Sequence, residues 1–380
     1  GHTITMNNVP DDKRSKYANM YSSSEGERPA GIAFSADHYG IKSGSAINVD
    51  NLTIVNKKAT TENEASVLYP NGSHTVRAGY YTSLYAENVN FKNVNFEGGV
   101  SIAKNSNFEK CNFNDTSERR YLLFVDNEYG NVSDIKMNIK DCYFNGNNST
   151  YGGVKIADDS NKGADLTVTG STFENIADRP AVKINGKTLV AASNNIFNNC
   201  PNGEISNIEQ YTAVAKIEDK LYASLADAVA AAQDGDTITI LGKVAVNPGD
   251  LPAQPNNKKL TFKGDGDDEL TFVDSTGYNM YYANGSSLTF DTLTITWKDG
   301  DQPYQGIAHT ADTVYNNCTI NGQLCLYASS SETFKNCTFV QPSADAYNVR
   351  TWGAKKAAFE NCKFRSNGKS LLVYNESCVD

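Results

Sequence analysis

Histidine is scarce: four in 380 residues (His2, His38, His74 and His309), no two of them at metal-ligand spacing. No run of 18 apolar residues occurs, so no helical bilayer span is expected. Lysine and arginine (34) fall short of aspartate and glutamate (44), and the formal charge of −10 argues against nucleic acid or an anionic membrane as the main partner. A Gly-x-Ser-x-Gly elbow, a phosphate loop and a dinucleotide fingerprint are all missing. Helical periodicity is confined to one short stretch. No signal peptide is visible, and Gly1-His2 ahead of the strand-like Thr3-Ile4-Thr5-Met6 suggests that upstream residues were removed.

The chain does contain one short repeat: Phe108-x-x-Cys111-x-Phe113, Phe334-x-x-Cys337-x-Phe339 and Phe359-x-x-Cys362-x-Phe364. Weaker copies run through Val49-Leu52-Ile54, Phe91-Val94-Phe96, Ile139-Cys142-Phe144, Val168-Ser171-Phe173, Ala192-Asn195-Phe197, Phe290-Leu293-Ile295 and Tyr315-Cys318-Ile320. The last two apolar residues of each copy sit two apart, which reads as one half-buried strand. A second strand follows a turn, as in Val100-Ser-Ile102, Val154-Lys-Ile156, Val182-Lys-Ile184, Leu324-Cys-Leu326 and Val349-Arg-Thr351. Successive copies lie from 17 residues (Phe96 to Phe113) to 31 residues (Phe113 to Phe144) apart. That period, with short strands and almost no helix, marks a solenoid with loops inserted at its corners. Asn316, Asn317, Asn336 and Asn361 flank the turns, where asparagine tolerates left-handed geometry. Sequons such as Asn336-Cys-Thr and Asn71-Gly-Ser therefore read as turns rather than glycosylation sites.

Eight cysteines could form a disulfide framework. Position argues for free thiols: Cys111, Cys142, Cys318, Cys337 and Cys362 share one inward slot, which Leu, Val or Ser fills in other copies.

The repeat resembles the right-handed parallel β-helix, or pectate-lyase-like, family over about residues 50 to 200 and 237 to 378. The implied fold class is all-β, a right-handed parallel β-helix with one short capping helix near 224–233. The repeat breaks between Pro201 and Lys220, and Ser224 with Asp227 then forms a capping box before an apolar face of Leu225, Ala228, Val229 and Ala232. Helix followed by Asp234-Gly235-Asp236 and the strand Thr237 to Leu241 resembles the segment that opens β-helix modules in secreted bacterial surface proteins. Two modules are expected, 1–210 and 211–380, the first shortened at its N-terminus; one uninterrupted solenoid with an insertion is the alternative. The last copy breaks off at Ser377-Cys378, so further coils or another subunit are expected beyond it.

Polysaccharide lyases of this fold use carboxylates and an Arg or Lys base. Lys155 and Lys183 are outward residues on consecutive copies, with Asp158 and Asp159 just beyond, and Arg350 holds the same place in the second module. These three cations are the residues to test under a lyase or glycoside hydrolase reading on an acidic polysaccharide; a solvated charged strand face is the plainer explanation. The lyase family's paired arginines and the polygalacturonase companions of Asp267-Asp268 are absent. No metal site and no cofactor are expected, beyond weak surface calcium at Asp267-Asp268 or Asp299 and Asp301.

The feature favoured as functional is an aromatic column. Tyr327 follows Leu326, Trp352 follows Thr351 and Tyr374 follows Val373, with Tyr282 after Tyr281 in the same column and Ala308 or His309 on the coil between. In the first module the matching places hold Ala103, Ala157 and Asn185, so the coil itself does not demand rings. At about 4.8 Å per coil the column would extend roughly 20 Å, enough for an extended chain. An aromatic ladder that only covers a turn is the competing explanation. The expected function is a secreted or cell-surface adhesin-like stalk that binds a polysaccharide or a surface protein through Tyr282, Tyr327, Trp352 and Tyr374. Inserts around Pro10 to Ala30 and Ala59 to Tyr81 would build a groove wall.

Overall fold

The repeated Phe-x-x-Cys-x-Phe is a corner. In the computed structural model Phe108 lies in the strand Ser106–Glu109, Lys110 takes φ of 54°, Cys111 turns, and Phe113 lies in the next strand, Asn112–Asn114. The half-buried strand expected at the last two apolar residues is joined by another, Ser106–Glu109, across a left-handed residue. Their inward rings meet edge to face across the bend, Phe108 to Phe113 at 5.4 Å. The same left-handed corner recurs at Asn51, Asn93, Asp141, Gly170 and Asn194, and at Thr292, Asn317, Asn336 and Asn361, with φ between 52° and 60° throughout. Asparagine and glycine suit that backbone; Lys110 and Thr292 adopt it because the stacked coils above and below fix the path.

The structure describes residues 2–6, 30–35, 46–56, 83–97, 100–102, 105–114, 121–126, 135–149, 152–157, 164–184, 188–206, 208, 212–252, 257–273, 279–300, 304–308, 310–327 and 330–374. The chain divides into two compact units, Gly1–Thr212 and Ala213–Asp380, each with its own hydrophobic core. In both, three short strands per coil stack in parallel on their counterparts, which makes each unit a parallel β-helix. In the first unit Phe113 registers with Phe96 and Phe144, and Val154-Lys155-Ile156 with Val182-Lys183-Ile184. The sequence repeat implies two strands per coil; the left-handed corner adds the third.

Inside the first unit Phe96, Phe113, Phe144, Phe173 and Phe197 form one file of stacked rings with centroids 4.4 to 5.2 Å apart. Phe262, Phe290, Tyr315, Phe334 and Phe359 do the same in the second unit, 4.6 to 5.2 Å apart. Each such contact contributes about 0.5–1.5 kcal/mol beyond its burial. On the outside, asparagines bond coil to coil: Asn90 to Asn48, Asn107 to Asn90 and Asn138 to Asn107, at 3.0, 2.7 and 2.7 Å. These half-exposed amides compete with water, so register is held chiefly from within.

The corner cysteines carry free thiols, and each does a carbonyl-bonding job there. Cys111, Cys142, Cys318, Cys337 and Cys362 each donate toward the carbonyl of a residue on the preceding coil, Phe91, Phe108, Phe290, Tyr315 and Phe334 respectively, at 3.3 to 3.5 Å. Each Sγ also approaches the carbonyl two residues back. Ser171 takes the slot above Cys142, donating to the Thr169 carbonyl and accepting from the Cys142 amide.

Near its start the second unit has the helix Leu225–Ala231, whose N-cap Ser224 accepts from the Asp227 amide at 3.1 Å and donates to its carboxylate at 2.7 Å. Leu225, Ala228, Val229 and Ala232 all enter the core. The hairpin Ala215–Ile217 and Lys220–Tyr222 runs antiparallel beside Thr237–Ile240, so the outer side of the first parallel strand meets an antiparallel partner rather than solvent.

Candidate functional site

The strands Asn279–Tyr282, Gln305–Ala308, Leu324–Leu326, Tyr347–Trp352 and Lys369–Tyr374 carry the aromatic column of the second unit. Alternation decides what faces outward. Leu324, Leu326, Val349 and Thr351 are buried inward residues, which turns Cys325, Arg350 and Trp352 to the outer face. Parallel register pairs Tyr282 with Ala308 and Trp352 with Tyr374, while Leu326 opposite Thr351 brings Tyr327 and Trp352 to consecutive levels.

Ring contacts gather part of this column into a cluster. Tyr304, immediately ahead of Gln305–Ala308, has its ring 6.2 Å from Tyr327 and 5.8 Å from Trp352, both tilted by 56°. Trp352 remains 37% exposed and Tyr282 52%, unusual values for such large apolar groups. Beside the rings the outer face is not bare: Cys325 and Asn348, both at outward-alternating places, are fully buried. The Gln305 side chain donates to the carbonyls of Lys298 and Gln323 at 2.9 and 3.2 Å, tying the segment that delivers Tyr304 to the next coil.

Two cations border Tyr347, on the strand that ends at Trp352. The Arg350 guanidinium lies 5.2 Å from the Tyr347 ring centroid, and Lys369 Nζ also lies 5.2 Å from it while donating to the Asp345 carbonyl at 2.9 Å. Arg350 precedes Trp352 by two on the same outward face. Half-exposed rings next to fixed donors can pack on CH surfaces and bond hydroxyl, carboxylate or carbonyl groups of a bound chain.

The remaining sequence candidates fall elsewhere. Lys155 and Lys183 register with one another on consecutive coils of the first unit, and Phe124 pairs with Lys155 from the other side. Arg350 belongs to the second unit, between Cys325 and Leu372, so the three cations of the lyase reading divide between two units. Asp158, Asp159, Asp301, His309, Ala103, Asn185 and the proposed groove-wall inserts other than Ala30 lie outside the described residues. Asp268 is held by backbone amides: its carboxylate accepts from Gly242 on the neighbouring coil at 2.6 Å and from Asp265 in its own turn at 3.0 Å, while burial raises its pKa. Among the described residues no group of three or more His, Cys, Asp or Glu converges as a metal site.

Tyr304 escaped the sequence reading because it stands at a corner, four residues ahead of the column position at Ala308, where neither strand alternation nor coil repeat specifies a direction. Its only signal was an aromatic residue directly before a strand. Comparison with protein-family models, curated proteins and solved structures finds no match.

Proposed function

We propose that the second unit is a rigid docking surface, and that the chain acts as a β-helix stalk of a secreted or cell-surface protein, holding an extended polysaccharide or a partner protein against Tyr282, Tyr304, Tyr327 and Trp352. The observation that carries this reading is the ring cluster itself: Tyr304 within ring reach of both Tyr327 and Trp352, with Trp352 more than one-third exposed. Large rings lose little conformational freedom on binding, and a parallel sheet beneath them fixes their spacing in advance. Tyr374 is in backbone register with Trp352 on the next coil.

The test is a glycan array together with uronate-containing polysaccharides on one sample, read for binding and for release of unsaturated product. A ligand found for the parent protein should lose at least about tenfold in affinity, equal to about 1.4 kcal/mol, in a Trp352→Ala, Tyr327→Ala variant whose melting temperature is unchanged. Equal binding by that variant removes the docking strip. Unsaturated product abolished by Lys155→Ala, Lys183→Ala or Arg350→Ala would replace the stalk reading with a lyase.

A further inference from the structure

The second unit carries a carboxylate where a core residue belongs. Phe334 points inward, so Glu332, two residues earlier on Ser331–Lys335, also points inward, and it is 1% exposed. Its column runs Leu260, Leu288, Thr313, Glu332, Ala357 from coil to coil. Leucine thus gives way first to a hydroxyl, then to a carboxyl, then to alanine, and Ala354 is buried at the adjoining corner. The column turns polar at this level. Three oxygens there have no hydrogen-bond partner: Glu332 Oε2, Tyr315 OH and Thr313 Oγ1.

Proton accounting at Ser330 points to the state of Glu332. Ser330 Oγ donates to the Tyr327 carbonyl at 2.7 Å and lies 3.2 Å from Glu332 Oε1. A serine hydroxyl has one proton, and the shorter bond takes it. The contact to Oε1 is then favourable only when Glu332 supplies the hydrogen. Oε2 is left as an acceptor, facing a layer that holds the Tyr315 and Thr313 hydroxyls. One water accepting from a hydroxyl and donating to Oε2 would satisfy both, and buried water is held where polar groups otherwise lack partners.

We propose that Glu332 is a neutral carboxylic acid at an internal water-binding site with Thr313 and Tyr315, and that it acts as a positioning residue: it donates to Ser330, which donates to the Tyr327 carbonyl and so pins the corner from which the Tyr327 ring projects. The hydrogen-bond chain stands apart from any ligand; only its value for docking rests on the function proposed above.

Burial agrees with the geometry, raising Glu332 from 4.5 to about 8. The titratable groups of this layer are Tyr315, Cys318 and Cys337, and burial holds the Tyr315 phenol well above its ordinary range. Its register partners on the coils before and after, Thr313 and Ala357, carry no charge. The folded state therefore keeps its proton where the unfolded chain has lost it. Stability from this group is complete below pH 4.5, falls as pH rises and is exhausted above about 8.

The test compares the full chain with Glu332→Gln, whose amide can still donate to Ser330, and Glu332→Leu, which cannot. Infrared difference spectra of parent against Glu332→Gln at pH 7 should show the carbonyl stretch of a protonated carboxylic acid. The melting-temperature advantage of Glu332→Gln over the parent should grow from pH 5 to pH 8, while Glu332→Leu loses the clamp at every pH. High-resolution diffraction should place a water within reach of Oε2. Absence of the protonated-acid band on carbon-13 glutamate-labelled parent protein, a measurement that needs no variant to fold, overturns the proposal. Parallel pH profiles of parent and Glu332→Gln overturn it as well. Neither readout involves a glycan, so failure here and failure of the docking strip are separately visible.

Discussion

Asn361 donates from its side-chain amide to the amide oxygen of Asn336, one coil away, at 2.8 Å, and both residues hold left-handed backbone at φ of 54° and 55°. Asn336 in turn donates to Asn317 at 3.4 Å. One residue type thus meets two demands at this corner, a backbone most side chains resist and a bond along the stack.

Replacing Asn336 separates the two demands. Asn336→Ala should destabilise the second unit by about 1–3 kcal/mol, from left-handed strain plus lost hydrogen bonds, and Asn336→Gly by only the hydrogen-bond share of about 1 kcal/mol. Urea unfolding of the two variants checks the order; equal losses would mean that the backbone angle carries no cost here.

Gly306 is required by proximity rather than by its backbone angle. A Cβ there would stand 2.1 Å from the Cys325 carbonyl oxygen, whereas one at Gly235 would meet nothing within 4 Å. Gly306→Ala should cost about 3 kcal/mol, at the upper end for overpacking. It should also loosen the Tyr304 segment, seen as faster amide exchange at residues 304–308.

The corner thiols act as hydrogen-bond donors, and Ser171 shows that a hydroxyl fits the same slot. Cys142→Ser should therefore lie within about 1 kcal/mol of the parent, while Cys142→Ala loses donor and volume and costs about 2 kcal/mol. Chemical denaturation ranks them; an alanine variant as stable as the serine one would refute the donor role.

Thiol accessibility separates the ladder into two classes. Cys200 and Cys362 are half-buried, and burial raises the pKa of both, so they should react slowly at pH 7 and faster as pH rises. Cys111, Cys142, Cys318, Cys325 and Cys337 are buried and should react only after unfolding. Mass-resolved alkylation of a Cys378→Ser background, native against denatured, reads both classes.

Much of the architecture could be read from residue order, because each coil repeats the same inward positions and the repeat survives exchange of Phe for Ile or Tyr. The corner inside the motif could not: Lys110 and Thr292 share its left-handed geometry with asparagines, so residue type alone does not mark it. The column positions of Tyr282 and Trp352 were legible through their spacing from buried Tyr281 and Thr351; Val373, ahead of Tyr374, is exposed, and Tyr304 was not legible. Glu332 was legible in principle. Counting two back from Phe334 places it inside, but a charged residue reads as outward until the neighbouring positions are counted.

Because strands run across the stack and their hydrogen bonds run along it, tension applied to the two ends of one unit loads the outermost coil before any other. Each coil would peel away in turn, like a zipper rather than a sheared strap, and refold onto the template left beneath it. Such a unit yields at low force yet returns to length after each pull.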